Sequence, residues 1–377
     1  MVRDYALLYP PVIHFGPGCR FLAGDLLRRA AGGPQPRTFA VCSRTVRATG
    51  ALDELARRTG LSWCGIYDQV PHDPPLECVD ALIEQLSLSS ADAVLTVGGG
   101  SVIDAAKAAA AVAPAADGVR PFFEGQRSVS RPGLPLVALP TTAGSGAEIT
   151  PNAVLSDHLK GVKKSIRSPF LVPSAALVDP ELTVSMPPDL TAHSGLDALT
   201  QAIESYISLQ ANAVTRPLAA AAVGRLLPHL PHACRDGLDL EARTQVAEGS
   251  LLGAMAFSQS ALGAVHGLAH PIGHALSLPH GLTCAVLLPH VLRLNLPVCT
   301  DELGALAGGL GLGGAEALVE AIASLCTDLG VPGSFAAYRL AEADHGTIVA
   351  NCRSGSMKAN PRHLTDAELR DLLRRLS

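Results

Sequence analysis

The sequence predicts an α/β domain built on a parallel sheet, followed by an all-α domain. Its 377 residues exceed what one hydrophobic core usually organises. Strand and helix patterns alternate in the first half, and strand patterns fade after Met186-Pro187-Pro188. We therefore expect an α/β domain over residues 1–186 and a helical domain over residues 187–377.

Three short apolar runs in the first half are typical of strands, at residues 38–42, 93–97 and 136–139. Helical periodicity lies between them, at residues 52–59 and 76–86. Strands that alternate with helices indicate right-handed βαβ units and a parallel sheet. Because the strands are apolar on both faces, we expect helices on both sides of the sheet.

The second half reads as a series of Ala- and Leu-rich helices, at residues 196–208, 214–227, 241–257, 261–275 and 314–330. No long linker separates it from the first half. Two domains joined in this way predict a cleft between them, where ligand sites often lie.

Composition excludes several classes of protein. Hydrophobic residues make up 48% and charged residues 17%, so the chain can bury a large core and is not disordered. The net charge of −5, without a run of like charges, argues against nucleic-acid and membrane partners. The N-terminal segment lacks the apolar core of a signal peptide, and no stretch offers about 18 uninterrupted apolar residues. Nine scattered cysteines without a CxxC pair argue against a disulfide framework and indicate a cytoplasmic protein.

A glycine loop follows the second predicted strand. Gly98, Gly99, Gly100 and Ser101 run directly into a strong helical segment. Glycines let the backbone turn sharply, and a helix start offers free N–H groups to an anion such as a pyrophosphate. The pattern is not GxGxxG, so an ordinary strand–helix turn remains the alternative.

A second loop, PTTAGSGAE at residues 140–148, follows the third predicted strand and carries Thr141, Thr142 and Ser145. Two such loops at the carboxyl ends of neighbouring strands match the place where nucleotides bind to open α/β sheets. The pair therefore favours a nucleotide site more than either loop alone.

The helical half contains a candidate metal site. Asp197 and Gln201 are four residues apart, as are His266 and His270, and this spacing puts each pair on one helix face. His280 follows shortly. A carboxylate and several imidazoles that converge between helices can hold a divalent metal. The alternative is a set of hydrogen-bonded interior histidines, but burying so many polar rings without partners would be costly.

On these and further motifs, the chain resembles the iron-containing, or group III, alcohol dehydrogenases. The resemblance runs nearly end to end, and its motifs are GGGSVIDAAK, PTTAGSGAE, ALVDPELTVSMPPDLTAHSGLDALTQAIESY, GAVHGLAHPIGHALSLPHGLTCAVLLPHVLRLN and NPRHLTDAEL. It implies a dehydroquinate-synthase-like fold and an oxidoreductase that moves a hydride between a nicotinamide cofactor and a small alcohol, aldehyde or ketone. It also implies help from a divalent metal, Fe2+ or Zn2+, and makes a homodimer a candidate assembly.

The resemblance assigns roles to residues of the second half. Asp197, His266 and His280 match metal-ligand positions of the family, and His270 matches a histidine beside the nicotinamide. Imidazole titrates near neutral pH, so His270 is a candidate for proton relay. The family's fourth ligand is a histidine, and this chain has Gln201 there.

Three interpretations of that replacement are open. Gln201 coordinates the metal directly or holds a water that does, and this is the one we expect. Alternatively, the metal binds weakly or not at all, as in the similar maleylacetate reductases. In the third, His274 supplies the missing imidazole. A polyol dehydrogenase and a catalytically silent scaffold are further alternatives, the scaffold disfavoured because the glycine loop and three ligands are kept.

The resemblance also implies where the cofactor lies. The pyrophosphate crosses the glycine loop near Asp104, and the hydroxyl residues of the second loop contact the ribose and nicotinamide. The implied cofactor-binding set is Ser43, Arg44, Asp73, Gly98, Gly99, Gly100, Ser101, Asp104, Thr141, Thr142, Ser145 and Lys163.

Cofactor preference is predicted from the end of the first strand. Relatives that prefer NAD usually carry an aspartate there, whereas this chain has Cys42, Ser43 and Arg44. Without that carboxylate, Arg44 or Arg47 can pair with a 2′-phosphate, unless both are ordinary surface residues. We therefore expect NADP(H) to be favoured over NAD(H).

Overall fold

A computed structural model describes residues 4–115 and 117–377 of the chain, and these form two compact units. The first unit ends at Val184 and the second begins at Ser185, whereas the sequence analysis put the division after residue 186. The first unit is α/β and the second is helical, so the predicted fold class is confirmed.

The first unit contains eight strands in its described residues: β1 (Ile13–Phe15), β2 (Thr38–Cys42), β3 (Trp63–Tyr67), β4 (Ala93–Gly98), β5 (Leu136–Pro140), β6 (Asn152–Asp157), β7 (Val162–Arg167) and β8 (Ala175–Val178). Six of them form a parallel sheet in the order β1-β8-β5-β4-β2-β3, and β6 and β7 form a separate antiparallel hairpin. The three predicted strands are β2, β4 and β5, which lie side by side in the middle of the sheet.

Helices cover both faces of this sheet, as predicted. They are α1 (Ala23–Ala31), α2 (Arg44–Ala48), α3 (Ala51–Thr59), α4 (Leu76–Leu88), α5 (Gly100–Val112) and α6 (Arg120–Phe123). Within β2, Phe39 and Val41 belong to the core shared with α4 and α5, whereas Ala40 and Cys42 belong to the core shared with α1 and α3. Successive side chains of a strand point to opposite faces, so one apolar strand feeds two cores.

The second unit contains nine α-helices in its described residues and no strand. They are α7 (Pro188–Ile207), α8 (Thr215–Arg235), α9 (Leu240–Ser260), α10 (Ala264–Leu276), α11 (His280–Gly309), α12 (Ala315–Asp328), α13 (His345–Asn351), α14 (Gly355–Ala359) and α15 (Asp366–Leu376). The five predicted helical runs correspond to α7, α8, α9, α10 and α12. The sequence analysis did not predict α11, whose 30 residues include two prolines.

Among the described residues, α11 alone is long and apolar enough to cross a membrane by length and composition. The pair α9 and α10 also passes that test if it is counted as one span, but it bends by 101° at its break. In α11, 67% of the apolar window is buried inside the protein, and this is the behaviour of a core helix.

A buried ammonium group joins α5 to the chain that follows β5. Lys107 is 2% exposed, and its Nζ donates hydrogen bonds to the carbonyl oxygens of Ala147 (2.7 Å), Thr150 (2.7 Å) and Asn152 (2.5 Å). The carboxylate of Asp104 lies 3.8 Å from the same nitrogen. Backbone carbonyls in an apolar interior need donors, and this one side chain supplies three.

We expect Lys107→Met to lower the free energy of unfolding by about 3 kcal/mol, because it leaves buried carbonyls and a carboxylate without their partner. Urea denaturation followed by circular dichroism measures the change. The matched control is Lys358→Met, at an exposed position, where we expect a change within about 0.5 kcal/mol. Equal stability of the two variants would contradict the structural role given to Lys107.

Candidate metal and cofactor sites

One face of α7 presents three polar side chains to the interior of the helical unit. Asp197, Gln201 and Glu204 follow each other at spacings of four and three residues, which places them on one helix face. Their exposures are 6%, 3% and 2%. Buried carboxylates need hydrogen-bonding or cationic partners, so polar groups from neighbouring helices must face this side of α7.

Glu204 orients the first histidine of the site. Its Oε1 accepts a hydrogen bond from the backbone N–H of Val265 (2.6 Å), at the start of α10, and its Oε2 lies 2.7 Å from Nδ1 of His266. With Nδ1 engaged, His266 directs Nε2 toward Oδ1 of Asp197, at 3.4 Å. A carboxylate behind a ligating histidine is the usual way to fix the ring's tautomer and orientation.

The second histidine comes from the first residue of α11. His280 brings its Nε2 to 3.7 Å from Oδ1 of Asp197. The next residue is Gly281, where a Cβ would clash with the backbone carbonyl of His193 on α7. A glycine at this position therefore lets α11 approach α7 closely enough to deliver the imidazole.

Four potential ligand atoms converge here. The side chains of Asp197, His266, His280 and Cys284 each offer one atom, and these atoms all lie within 4.8 Å of one another. Oδ1 of Asp197 and Nε2 of His266 are buried and have no hydrogen-bond partner in the described part of the chain. Buried atoms that face each other at 3.4 Å without a hydrogen bond are explained by a cation between them, so the residues present fit a divalent metal.

The electrostatics of the cluster favour positive charge. Burial alone would raise the pKa of Asp197, but the neighbouring His280 and His266 outweigh it and lower the pKa below its usual value. For His266, burial alone would lower the pKa, but Cys284, Asp197 and Glu204 raise it well above its usual value. Burial raises the pKa of the Cys284 thiol to about 12. In the absence of a metal, these neighbours thus favour a proton on His266, and a cation can take its place.

The other predicted residues of this site lie on its border. Nε2 of Gln201 donates a hydrogen bond to Oδ2 of Asp197 (3.0 Å), and its Oε1 is buried without a partner among the described residues. The ring of His270 stacks on that of His280 with centroids 5.0 Å apart. His274 is exposed and lies outside the four-residue cluster.

Sequence reasoning missed two residues of the cluster and its surroundings, Glu204 and Cys284. Both follow the helical spacing that identified the others, because Glu204 is three residues after Gln201 and Cys284 is four after His280. Glutamate is common on helices and cysteine is a common core residue, so spacing alone did not single them out.

The predicted cofactor residues gather at one edge of the parallel sheet. Ser43 follows β2, the glycine loop follows β4, and Thr141 follows β5, and these three strands are neighbours. Their carboxyl ends share an edge, and the backbone bonds Ser43 N–Val97 O (3.1 Å) and Thr141 N–Gly98 O (3.0 Å) join the loops. This is the edge at which open α/β sheets bind nucleotides.

The start of α5 suits a pyrophosphate. No side chain caps this helix, whose N-cap is Gly99. A Cβ at Gly100 would clash with the side chain of Ser145 from the second loop, so the close approach of the two loops requires glycine. An uncapped helix start that lies beside partly exposed hydroxyl groups is a ready anion site.

Two predicted residues from distant parts of the chain meet this loop. Nζ of Lys163, on β7, lies 2.6 Å from Oδ1 of Asp73, and the backbone N–H of Asp73 donates to Oγ of Ser101 (3.3 Å). Asp73 has φ of +53°, a conformation that few residues other than glycine adopt. Such strain is often found at ligand sites.

Asp104 and the two arginines complete the predicted set. Asp104 points inward, where its Oδ2 accepts from the backbone N–H of Val154 (3.0 Å), and burial raises its pKa to about 6. Arg47 pairs with Asp53 at 3.3 Å. Arg44 is exposed and makes no ion pair within residues 4–115 and 117–377.

Comparisons with known proteins cover both units. A family model described as iron-containing alcohol dehydrogenase matches residues 10–180, and its C-terminal companion, described as Fe-containing alcohol dehydrogenase family, C-terminal, matches residues 191–377. The residues of the cofactor edge lie in the first match, and those of the metal cluster lie in the second.

Two relatives and one solved structure are similar to this chain over nearly its whole length. The chain is 31% identical to long-chain-alcohol dehydrogenase 1 of Geobacillus thermodenitrificans, over 97% of this chain and 94% of that protein. It is also 31% identical to the NAD-dependent methanol dehydrogenase of Bacillus methanolicus, over 97% and 98%. The structure of a sulfoacetaldehyde reductase from Bifidobacterium kashiwanohense, solved with NAD+, superposes with a TM-score of 0.93 at 29% identity, covering 100% and 99%. The chain therefore belongs to the iron-containing alcohol dehydrogenase family.

Proposed function

We propose that the chain transfers a hydride between NADP(H) and a small alcohol or the matching aldehyde or ketone, beside a divalent metal held at Asp197, His266 and His280. The observation that carries this proposal is a pair of buried atoms without a hydrogen bond, Oδ1 of Asp197 and Nε2 of His266, which face one another at 3.4 Å within the four-residue cluster. A metal-independent reductase would have no use for such a cluster and is not favoured.

Each residue of the site has a proposed role in holding the metal or in orienting a ligand. The metal, when bound, supplies a Lewis acid that polarises the substrate oxygen. Asp197, His266 and His280 hold it, and Glu204 fixes the orientation of His266. Gln201 keeps Asp197 in place through its amide N–H, and its buried Oε1 is the candidate atom for the predicted role of ligand or holder of a water. The nicotinamide carries the hydride, and the protein's task is to bind and orient it.

Removal of the metal tests the proposal directly. We expect prolonged EDTA dialysis to lower kcat with a panel of small aldehydes by about 100-fold or more, because Lewis-acid stabilisation is lost, and Zn2+ or Fe2+ to restore it. Asp197→Asn should lose activity that no metal restores. Asp189→Asn, at an exposed position on the same helix, is the matched control and should keep it. Full activity in EDTA would rule the metal function out.

His270 is proposed as the proton relay. Its ring stacks on that of His280, beside the cluster, and imidazole can donate or accept a proton. The exposed His274 lies one turn further along α10 and provides a comparison.

We expect His270→Ala to lower kcat by about 100-fold, the usual effect of losing a general acid or base, with metal content unchanged. Steady-state kinetics and metal analysis on the same preparation measure both. His274→Ala should leave kcat within about twofold of the wild type. Unchanged kcat in His270→Ala would exclude the relay.

The preference for NADP(H) is also part of the proposal. The hydroxyl of Ser43 accepts from the N–H of Val46 and caps α2, so a neutral side chain follows β2 where a carboxylate would repel a phosphate. Since Asp53 engages Arg47, the exposed Arg44 is the cation available to a 2′-phosphate. The relative from Bacillus methanolicus is named NAD-dependent, which makes the comparison between cofactors informative.

We expect Arg44→Ala to lower kcat/KM for NADPH by about tenfold, the worth of one charged hydrogen bond, and to leave that for NADH unchanged. Ser43→Asp should reverse the preference. Arg57→Ala, an exposed arginine on α3, is the control that should change neither value. A wild-type enzyme with a higher kcat/KM for NADH than for NADPH would show that the proposed preference is wrong.

The proposal also covers the cellular compartment, the substrate and the assembly. All nine cysteines are free thiols, which suits a reducing compartment, so we place the enzyme in the cytoplasm. We expect a small-molecule substrate, in line with the relatives' names, and a homodimer as the assembly.

A further inference from the structure

We propose that the thiolate of Cys284 is a protein ligand of the metal and takes the coordination position that Gln201 would otherwise have to fill. The inference rests on the metal function proposed above and specifies its ligand set. The set is then one carboxylate, two imidazoles and one thiolate, from Asp197, His266, His280 and Cys284.

The spacing of the four side chains supports a site with four protein ligands, to which the substrate oxygen would bind as a fifth. With bonds of about 2.0–2.1 Å to nitrogen and oxygen and about 2.3 Å to sulfur, neighbouring ligand atoms of a tetrahedron lie roughly 3.3–3.4 Å apart, or roughly 3.5–3.6 Å where one of them is sulfur. The distances are 3.4 Å from Asp197 Oδ1 to His266 Nε2, 3.7 Å from Asp197 Oδ1 to His280 Nε2, and 3.6 Å from His280 Nε2 to Cys284 Sγ. The first and third distances match these edges and the second is a few tenths of an ångström longer, and the two nitrogen–oxygen distances are too long for strong hydrogen bonds.

The thiol belongs to the cluster by its position on α11. Cys284 is one helical turn after His280, so both side chains lie on the face that meets α7. The residue is fully buried, at 0% exposure, and its sulfur lies within 4.8 Å of the other three ligand atoms. On coordination, the thiol proton leaves to solvent, and the thiolate forms the bond to the cation.

Gln201 has a different task in this arrangement. Its Nε2 is committed to Oδ2 of Asp197, which leaves Oδ1 of that carboxylate toward the two imidazoles. It is then a positioning residue that acts through Asp197. Its buried Oε1 is the competing fourth donor, and the experiment must separate it from Cys284 Sγ.

A thiolate changes the chemistry of the site. It adds a negative charge, so a divalent cation would balance the charges of Asp197 and Cys284, with Glu204 behind His266 as a further buried carboxylate. Soft sulfur ligands select Zn2+ over harder cations, whereas an all-nitrogen and oxygen set discriminates less. We therefore expect this chain to retain Zn2+ in preference to Fe2+.

X-ray absorption at the zinc edge, on the full chain loaded with Zn2+, tests the inference without using activity. We expect one sulfur neighbour at about 2.3 Å beside nitrogen and oxygen neighbours at about 2.0–2.1 Å. Loading with Co2+ should give the near-ultraviolet charge-transfer band of a cobalt–thiolate bond. Cys284→Ser should remove both signals, and Cys326→Ser, which alters another buried thiol of the helical unit, should keep them.

Metal affinity separates the two candidate donors. Gln201→Ala should weaken Zn2+ binding by about 10–100-fold, as loss of an outer partner does, and should keep the sulfur signal. Cys284→Ser should weaken it further. Bound zinc with only nitrogen and oxygen neighbours in the wild type would overturn the thiolate ligand alone. A wild-type protein that binds neither Zn2+, Fe2+ nor Co2+ would overturn the proposed metal function together with it.

Discussion

Two buried carboxylates on α7 are the constraint on which the helical unit depends. Asp197 and Glu204 are 6% and 2% exposed, in a layer of apolar helices. Charges in such surroundings need partners, and the imidazole of His266 lies between the two carboxylates. Its Nδ1 contacts Glu204, and its Nε2 faces Asp197. The 101° bend before α10 and the glycine after His280 serve the same end, because they bring two histidines to one carboxylate.

In the α/β unit, backbone groups at the ends of strands and at the start of a helix provide the polar chemistry. Its central strands are apolar on both faces and bury two cores, so polar chemistry is confined to the strand ends. There, an uncapped helix start, close glycines and hydroxyl side chains provide donors for a phosphate group. Lys107, on α5, donates hydrogen bonds to backbone carbonyls of the chain that follows β5, including Ala147 of the second loop, and so fixes that loop to α5. The fold thus places the proposed anion site at the ends of strands and the start of a helix.

How much could be predicted from sequence differs between these regions. The central strands β2, β4 and β5 carry uniform apolar runs bounded by turns, so their positions were predicted to within a residue. The short or half-buried strands β1, β3 and β7 lack that signal, and α11 was missed because its two prolines interrupt an otherwise helical pattern. The spacing of Asp197, His266 and His280 in the sequence allowed them to be predicted as site residues. The contacts of Glu204 and Cys284 depend instead on which helix faces meet. That is a tertiary property, and a single sequence does not encode it as a local pattern.

The central claim is that a cation lies between Asp197, His266 and His280, and anomalous X-ray diffraction tests it most directly. Crystals of the full chain, purified without chelator, would be measured on either side of the absorption edges of zinc and iron. We expect one anomalous peak within bonding distance of Asp197 Oδ1 and of Nε2 of both histidines. An active enzyme whose crystals show no peak at that position would contradict the account.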